Sequence, residues 1–172
     1  KYFKNNKIDG PICLLVGDRR PHVEWTKEMN FDPKKVTLPS FFIDTQETRE
    51  HWARYLTDIE GMDQEMGRVL KFAEKKFGKD FIFLFTSDHG GQWPFGKWNL
   101  YDYGTRVPLQ VRWPGKIKAN VRTSAMVSWV DILPTLIDLA GGDVPQGIDG
   151  KSFAPVLFGK SKTHREMIFT TN

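Results

Sequence analysis

Three places in the sequence carry side chains suited to holding a charged group. Asp88 and His89 stand side by side, between the apolar run Phe81–Phe85 and the pair Gly90–Gly91. A carboxylate oxygen and an imidazole nitrogen both ligate divalent cations, and the glycines let the backbone turn sharply or approach a ligand closely. The plainer alternative is a turn in which Asp88 caps backbone N–H groups. Lys97 lies in the stretch Gln92–Gly104, which is dense in aromatic residues and glycine. An ammonium there needs an anionic partner or a route to solvent. His22 follows Arg20–Pro21. It could donate to an anion or move a proton, or it is simply a surface histidine.

The surrounding elements must place these side chains. Phe81–Phe85 is short, continuous and apolar, which predicts a strand buried on both faces. Ile12–Val16 predicts another, ended by Gly17, with Cys13 inside it as an inert buried thiol. Both would deliver their following loops to the carboxyl end of a sheet, where open α/β sheets bind ligands. Between them, Trp52, Tyr55, Leu56, Ile59, Met62, Met66, Val69, Leu70, Ala73 and Phe77 recur by threes and fours. That spacing predicts a helix over about 46–77, capped by Asp44 or Thr45 and stopped by Gly78, with bends possible at Gly61 or Gly67. Strand, helix and strand together predict a right-handed βαβ unit.

Residues 30–42 carry Pro33 and Pro39 without periodicity and predict a covering loop. Val107–Trp113 alternates and carries Pro108, which suits an edge strand. Ser128–Ala140 is an amphipathic helix pattern with Ser128 as cap, Asp131 at the third helical position and Gly141–Gly142 closing it. Asp149–Ser152 reads as a turn, 167–170 as a last strand, and His164 as a histidine in a charged loop. Residues 1–7 read as the tail of a helix, so the chain is expected to begin in mid-domain.

Composition narrows the function. The chain has 172 residues, 40% hydrophobic and 27% charged, which suits one packed domain. Net charge is +4 and scattered, with Lys34–Lys35 and Lys75–Lys76 the only lysine pairs, so a nucleic-acid footprint is not expected. No run is long enough to span a membrane. The single cysteine excludes an internal disulfide.

Four stretches in this order resemble the sulfatases of the alkaline phosphatase superfamily. They are Arg20–Pro21–His22 after a strand, the run ending Phe85-Thr-Ser-Asp-His-Gly90, then Gly96-Lys-Trp-Asn-Leu-Tyr-Asp-Tyr-Gly-Thr-Arg-Val-Pro-Leu109, and Ser128-Trp-Val-Asp-Ile-Leu-Pro-Thr-Leu-Ile-Asp-Leu-Ala-Gly141. The likeness runs from about residue 11 onward and is strongest to heparan N-sulfatase-like and bacterial polysaccharide sulfatases. It implies an α/β fold: part of an alkaline-phosphatase-like sandwich with a mixed, mostly parallel sheet over about 11–113, and a small C-terminal subdomain over about 114–172.

It further implies hydrolysis of sulfate esters or sulfamates on a sulfated small molecule or glycan. Asp88 and His89 match metal ligands, for calcium or alternatively manganese or magnesium. Lys97 and His22 match catalytic residues that bind the sulfate. Histidine at 89, where many sulfatases have asparagine, also suits phosphonate or phosphodiester hydrolases of the same superfamily. A non-catalytic glycan- or anion-binding relic is the third reading. The family's formylglycine nucleophile arises in a Cys/Ser-x-Pro-x-Arg motif, which this chain lacks. The nucleophile is therefore expected in a missing N-terminal part of the same protein, and the compartment by resemblance is periplasmic, secreted or lysosomal.

Overall fold

The computed structural model describes residues 10–170; the expected helix tail at 1–7 lies outside them. Its dominant element is helix α1, Gln46–Phe77. The Thr45 hydroxyl accepts the Thr48 N–H at 3.1 Å, which satisfies one donor left open in the first turn. At the other end the Gly78 N–H donates to the Glu74 carbonyl at 3.0 Å, and Gly78 takes a φ of 80° that a side chain would resist. Gly61 and Gly67 lie within the continuous helix. The apolar face is half-buried for most of its length, with Ala53 fully covered and Ala73 buried.

Strand β1 covers Phe83–Thr86. Helix α2 is one turn, Asp102–Thr105, and strand β2 runs Leu109–Arg112. The two strands pair antiparallel, with Phe83 opposite Arg112 and Thr86 opposite Leu109. Of the expected mixed, mostly parallel sheet, the described residues form this antiparallel pair. Among the described residues the sheet has two strands, and no strand forms at 12–16. Without a ladder partner there, apolar character alone does not make a strand. No βαβ unit closes, therefore, and β1 is half-buried rather than covered on both faces.

The same absence exposes what was expected to be core. Leu15 is 92% exposed, and Cys13 is exposed rather than buried. Segment 10–22, α1 and β1 instead border one open cavity of about 2240 Å³.

The remainder closes the far side of this cavity, with Trp129 Nε1 donating to the Ser87 carbonyl at 3.0 Å. A 3₁₀ turn at Trp129–Asp131 leads into helix α3, Ile132–Leu139, and helix α4 is Ala154–Leu157. The expected strand at 167–170 does not form; the pairing stops at a single bridge between Met126 and Arg165. Arg165 is drawn elsewhere, to Asp131. That carboxylate is fully buried and accepts from Arg165 Nε at 2.7 Å, Ser128 N at 2.9 Å and Lys151 N at 2.8 Å. Burial pushes the Asp131 carboxyl up, but the Arg165 guanidinium and the Lys151 and Ser128 N–H groups outweigh it and hold it well below the usual carboxylate range. His164 joins this cluster 3.1 Å from Asp131, with its side chain only 8% exposed. The histidine expected in a charged loop thus packs its side chain between the Asp131 carboxylate and the Phe153 ring. Among the described residues no helix is long and apolar enough to cross a membrane.

Candidate active site

The chain leaving β1 at Thr86 reaches Asp88 and His89 within three residues. The Asp88 side chain is 79% exposed and that of His89 is 36% exposed. Asp88 Oδ1 accepts the His89 N–H at 3.0 Å, so the plainer capping role is present. Its other oxygen remains 3.3 Å from His89 Nε2. His89 Nδ1 lies 2.7 Å from the Gly90 carbonyl, an acceptor only, so the ring proton belongs on Nδ1. In the neutral ring the Nε2 lone pair then faces a carboxylate oxygen. Two electron-rich atoms side by side suit a shared cation or proton. These two residues therefore fit part of a divalent-cation site. They do not complete one, since among the described residues no group of three or more His, Cys, Asp or Glu comes together.

Lys97 is held by the backbone of its own loop. The Gly91 carbonyl accepts both Trp93 N and Lys97 N at 2.9 Å, and the Trp93 carbonyl accepts Gly96 N at 2.9 Å. This folding brings chain against chain: a Cβ on Gly96 would lie 2.1 Å from the Gly91 oxygen, and one on Gly90 would lie 1.6 Å from the Tyr103 oxygen. Glycine is required at both positions. Phe95 and Trp98 adopt φ of 62° and 69°, a left-handed conformation costly for bulky residues. The loop's hydrogen bonds and close contacts hold them there.

His22 arrives from 75 residues away. Its Nε2 lies 3.1 Å from Lys97 Nζ. His22 Nδ1 contacts the Val23 carbonyl, which again assigns the ring proton to Nδ1 and leaves Nε2 to accept from the ammonium. The agents of this meeting are aromatic. Trp25 Nε1 donates to the Pro21 carbonyl at 2.9 Å, bracing the turn that carries His22. The Trp25 ring stacks on Trp93 of the lysine loop at 4.5 Å with 12° between planes. Trp93 in turn meets Trp52 and Tyr55 of α1 at 5.2 and 5.7 Å.

Helix α1 also fixes the following chain. Asp58 accepts Thr26 N at 3.2 Å and Thr57 Oγ1 accepts Asn30 N at 3.0 Å. The loop 30–42 lays Phe42 on Trp52 at 5.4 Å and Phe41 on Tyr103 at 4.6 Å. Sequence reasoning missed Trp25 and Trp93 as positioning residues; a tryptophan four residues beyond Pro21 was the available signal. Arg20, beside His22, is engaged with Asp18 at 2.7 and 3.1 Å, which holds the Asp18 carboxyl below its ordinary value.

Asp88, His89, Lys97 and His22 all line the large open cavity. The arrangement presents the Lys97 ammonium, with the His22 ring nitrogen beside it, to the cavity that Asp88 and His89 also line. Its chemistry is that of binding and offsetting negative charge.

Comparison with known proteins gives this chemistry a family. The sulfatase family model matches residues 1–142. The chain is 32% identical over 169 residues to an ulvan-active sulfatase of Formosa agariphila, covering 92% of this chain and 32% of that protein. It is 38% identical over 121 residues to an N-acetylglucosamine-6-O-sulfatase of Bacteroides thetaiotaomicron, covering 67% of this chain and 22% of that one. Mouse arylsulfatase G is 30% identical, over 94% of this chain and 32% of its own length.

Two solved structures are similar in fold. One, in complex with its substrate D-glucosamine-2-N,6-O-disulfate, gives a TM-score of 0.59 at 30% identity, over 72% of this chain and 27% of that chain. The other, a phosphonate monoester hydrolase from Silicibacter pomeroyi, gives 0.58 at 28% identity, over 75% and 27%. The chain therefore spans about a third or less of the proteins it matches. Its architecture is consistent with a portion of the alkaline-phosphatase-like fold, and the chain belongs to the sulfatase family.

Proposed function

We propose that the full-length protein hydrolyses sulfate esters or sulfamates carried on a carbohydrate, and that Lys97 and His22 bind the sulfuryl group. The observation that carries the reading is the 3.1 Å approach of Lys97 Nζ and His22 Nε2 on the wall of an open cavity. Two nitrogens brought together from distant segments give an incoming sulfate oxygen the Lys97 ammonium and, once Nε2 of His22 carries a proton, a second N–H. Lys97 then turns its donation from His22 to that oxygen, and the ammonium offsets charge that grows as the S–O or S–N bond breaks. With Nδ1–H held by Val23, His22 can use Nε2 to receive a proton and return it to the departing oxygen or nitrogen.

Asp88 and His89 would hold part of a divalent cation, calcium by family resemblance with manganese or magnesium as alternatives. A bound cation supplies Lewis-acid stabilisation of the sulfuryl oxygens. Calcium takes roughly six to eight oxygen ligands, so these two residues leave most of its shell to other groups. The residues present do not accommodate the formylglycine, because no serine or cysteine lies in the required motif.

The phosphonate monoester hydrolase likeness supports a second reading, phosphonate or phosphodiester cleavage by the same anion site. The experiment is a paired assay of the full-length protein and its Lys97→Ala variant on a 6-O-sulfated glucosamine and on a phosphonate monoester. Sulfate turnover that falls about 10²- to 10³-fold in the variant supports the proposal. Turnover of the phosphonate alone favours the second reading, and unchanged turnover overturns the role of Lys97.

A further inference from the structure

We infer that the small pocket beside His22 is a second carbohydrate subsite, in which the Asp58 carboxylate accepts hydroxyl groups of a neutral sugar unit joined to the one that carries the sulfate; the inference rests on the proposed function above. Two carboxylates are buried among the described residues, Asp131 and Asp58. Asp131 is surrounded by partners: Arg165, His164 and the Ser128 and Lys151 N–H groups. Asp58 is only 8% exposed, yet it accepts a single hydrogen bond, from Thr26 N to Oδ2 at 3.2 Å. Its Oδ1 has no hydrogen-bond partner among the described residues. A carboxylate withdrawn from water needs several donors, and one long bond leaves most of its acceptor capacity unused. The neighbouring Arg20 does not supply them, because its Nε and Nη2 are committed to Asp18 at 3.1 and 2.7 Å.

Asp58 lines a pocket of about 670 Å³ together with Arg19, Arg20, His22 and Glu24. Pockets of roughly 300–1,000 Å³ are of the size that holds small ligands. Arg19, Arg20 and His22 also line the large cavity, so pocket and cavity meet at the imidazole. His22 Nε2 lies 3.1 Å from Lys97 Nζ. A glycan whose sulfate is held by this pair can therefore continue past the His22 ring into the pocket. The charges there cancel, Arg19 and Arg20 against Glu24 and Asp58. That balance disfavours a second sulfate or a uronate and suits a neutral sugar, whose hydroxyls donate to Asp58 and accept from Arg19. Arg19 can turn to them, since its hydrogen bond to the Val23 carbonyl is long, at 3.4 Å.

The test compares substrates that do and do not reach the pocket. In the full-length protein, kcat/KM is measured on 6-O-sulfated glucosamine by itself and on the same sugar joined to a neutral hexose at C1 or C4. The parent should prefer at least one of the disaccharides. Asp58→Asn keeps an oxygen for Thr26 N and should lower that preference, the ratio of the two kcat/KM values, by about tenfold, the scale of a hydrogen bond to a charged group. Arg19→Ala, at an exposed position, should lower it about threefold. A ratio unchanged in both variants would overturn the inference. So would equal losses on monosaccharide and disaccharide in Asp58→Asn, because Asp58 would then act only through Thr26 and the His22 loop. A parent that prefers neither disaccharide, or that prefers a uronate in place of the neutral hexose, would overturn it as well. A parent that turns over no sulfated sugar would overturn the underlying functional reading, a result separable from these.

Discussion

Replacing Gly96 by alanine tests how the aromatic loop holds Lys97. The added Cβ would stand 2.1 Å from the Gly91 carbonyl oxygen and 3.0 Å from that of Trp93. Ordinary contact begins at 3.4 Å, so the loop must open by about 1.3 Å at the nearer atom. That nearer atom is the acceptor for both Lys97 N and Trp93 N. Losing one such hydrogen bond costs about 1 kcal/mol, and the forced backbone shift adds roughly 1–3 kcal/mol. The larger effect falls on function. A displacement of about 1 Å in a group that positions substrate can cost roughly 10²-fold in rate. The assay is kcat/KM of the full-length protein on a sulfated sugar, with thermal unfolding in parallel. A fall of about 10²-fold in a protein that remains folded is expected. Gly67→Ala is the control, since a Cβ there meets nothing within 4 Å, and it should be neutral or slightly stabilising. Activity of Gly96→Ala within about threefold of the parent would refute the claim that close backbone packing positions Lys97.

The other expectations concern charge, metal and the chain by itself. Asp131→Ala should destabilise the protein by about 3–5 kcal/mol, because it strands Arg165 and the Ser128 and Lys151 N–H groups; urea unfolding checks this. The Asp131 carboxyl is held below its ordinary range, so its contribution is complete above about pH 4 and is lost as pH falls toward its folded value. Melting temperature should therefore drop on acidification below pH 4, and Asp131→Asn should flatten that slope; an identical slope in the variant contradicts the assignment. Calorimetry on full-length Asp88→Ala should show weakened calcium or manganese binding, and unchanged stoichiometry and affinity would remove Asp88 from the metal site. These 172 residues by themselves should not turn over a chromogenic aryl sulfate with added calcium or manganese. Turnover that vanishes in Lys97→Ala would place the nucleophile within them.

What the sequence made legible was local. Helix α1 has caps, period and stop signal all within its own span, and it forms from Gln46 to Phe77 as those signals require. Ser128 and Asp131 form the capping box expected from their spacing. The order of the four motifs pointed to the family that residues 1–142 match. Features that depend on partners distant in the chain were not legible. Ile12–Val16 has the composition of a buried strand, yet composition cannot supply the neighbouring strand that would bury it. His164 lies among charged residues in sequence, and only the fold brings Asp131 within 3.1 Å of it. The same limit applies to the site. Each of His22, Asp88, His89 and Lys97 could be singled out by its type, whereas the Trp25–Trp93 stack that joins two of their loops had no periodic signature.

The most direct measurement of the central claim is a double-mutant cycle on the full-length protein. Binding of inorganic sulfate is measured calorimetrically for the parent, His22→Ala, Lys97→Ala and the double variant. If the two side chains share one anion, their effects are coupled by about 0.5–3 kcal/mol, and the double variant loses less than the separate losses combined. Effects that add to within about 0.5 kcal/mol, or sulfate affinity unchanged in all three variants, would contradict a common site for Lys97 and His22.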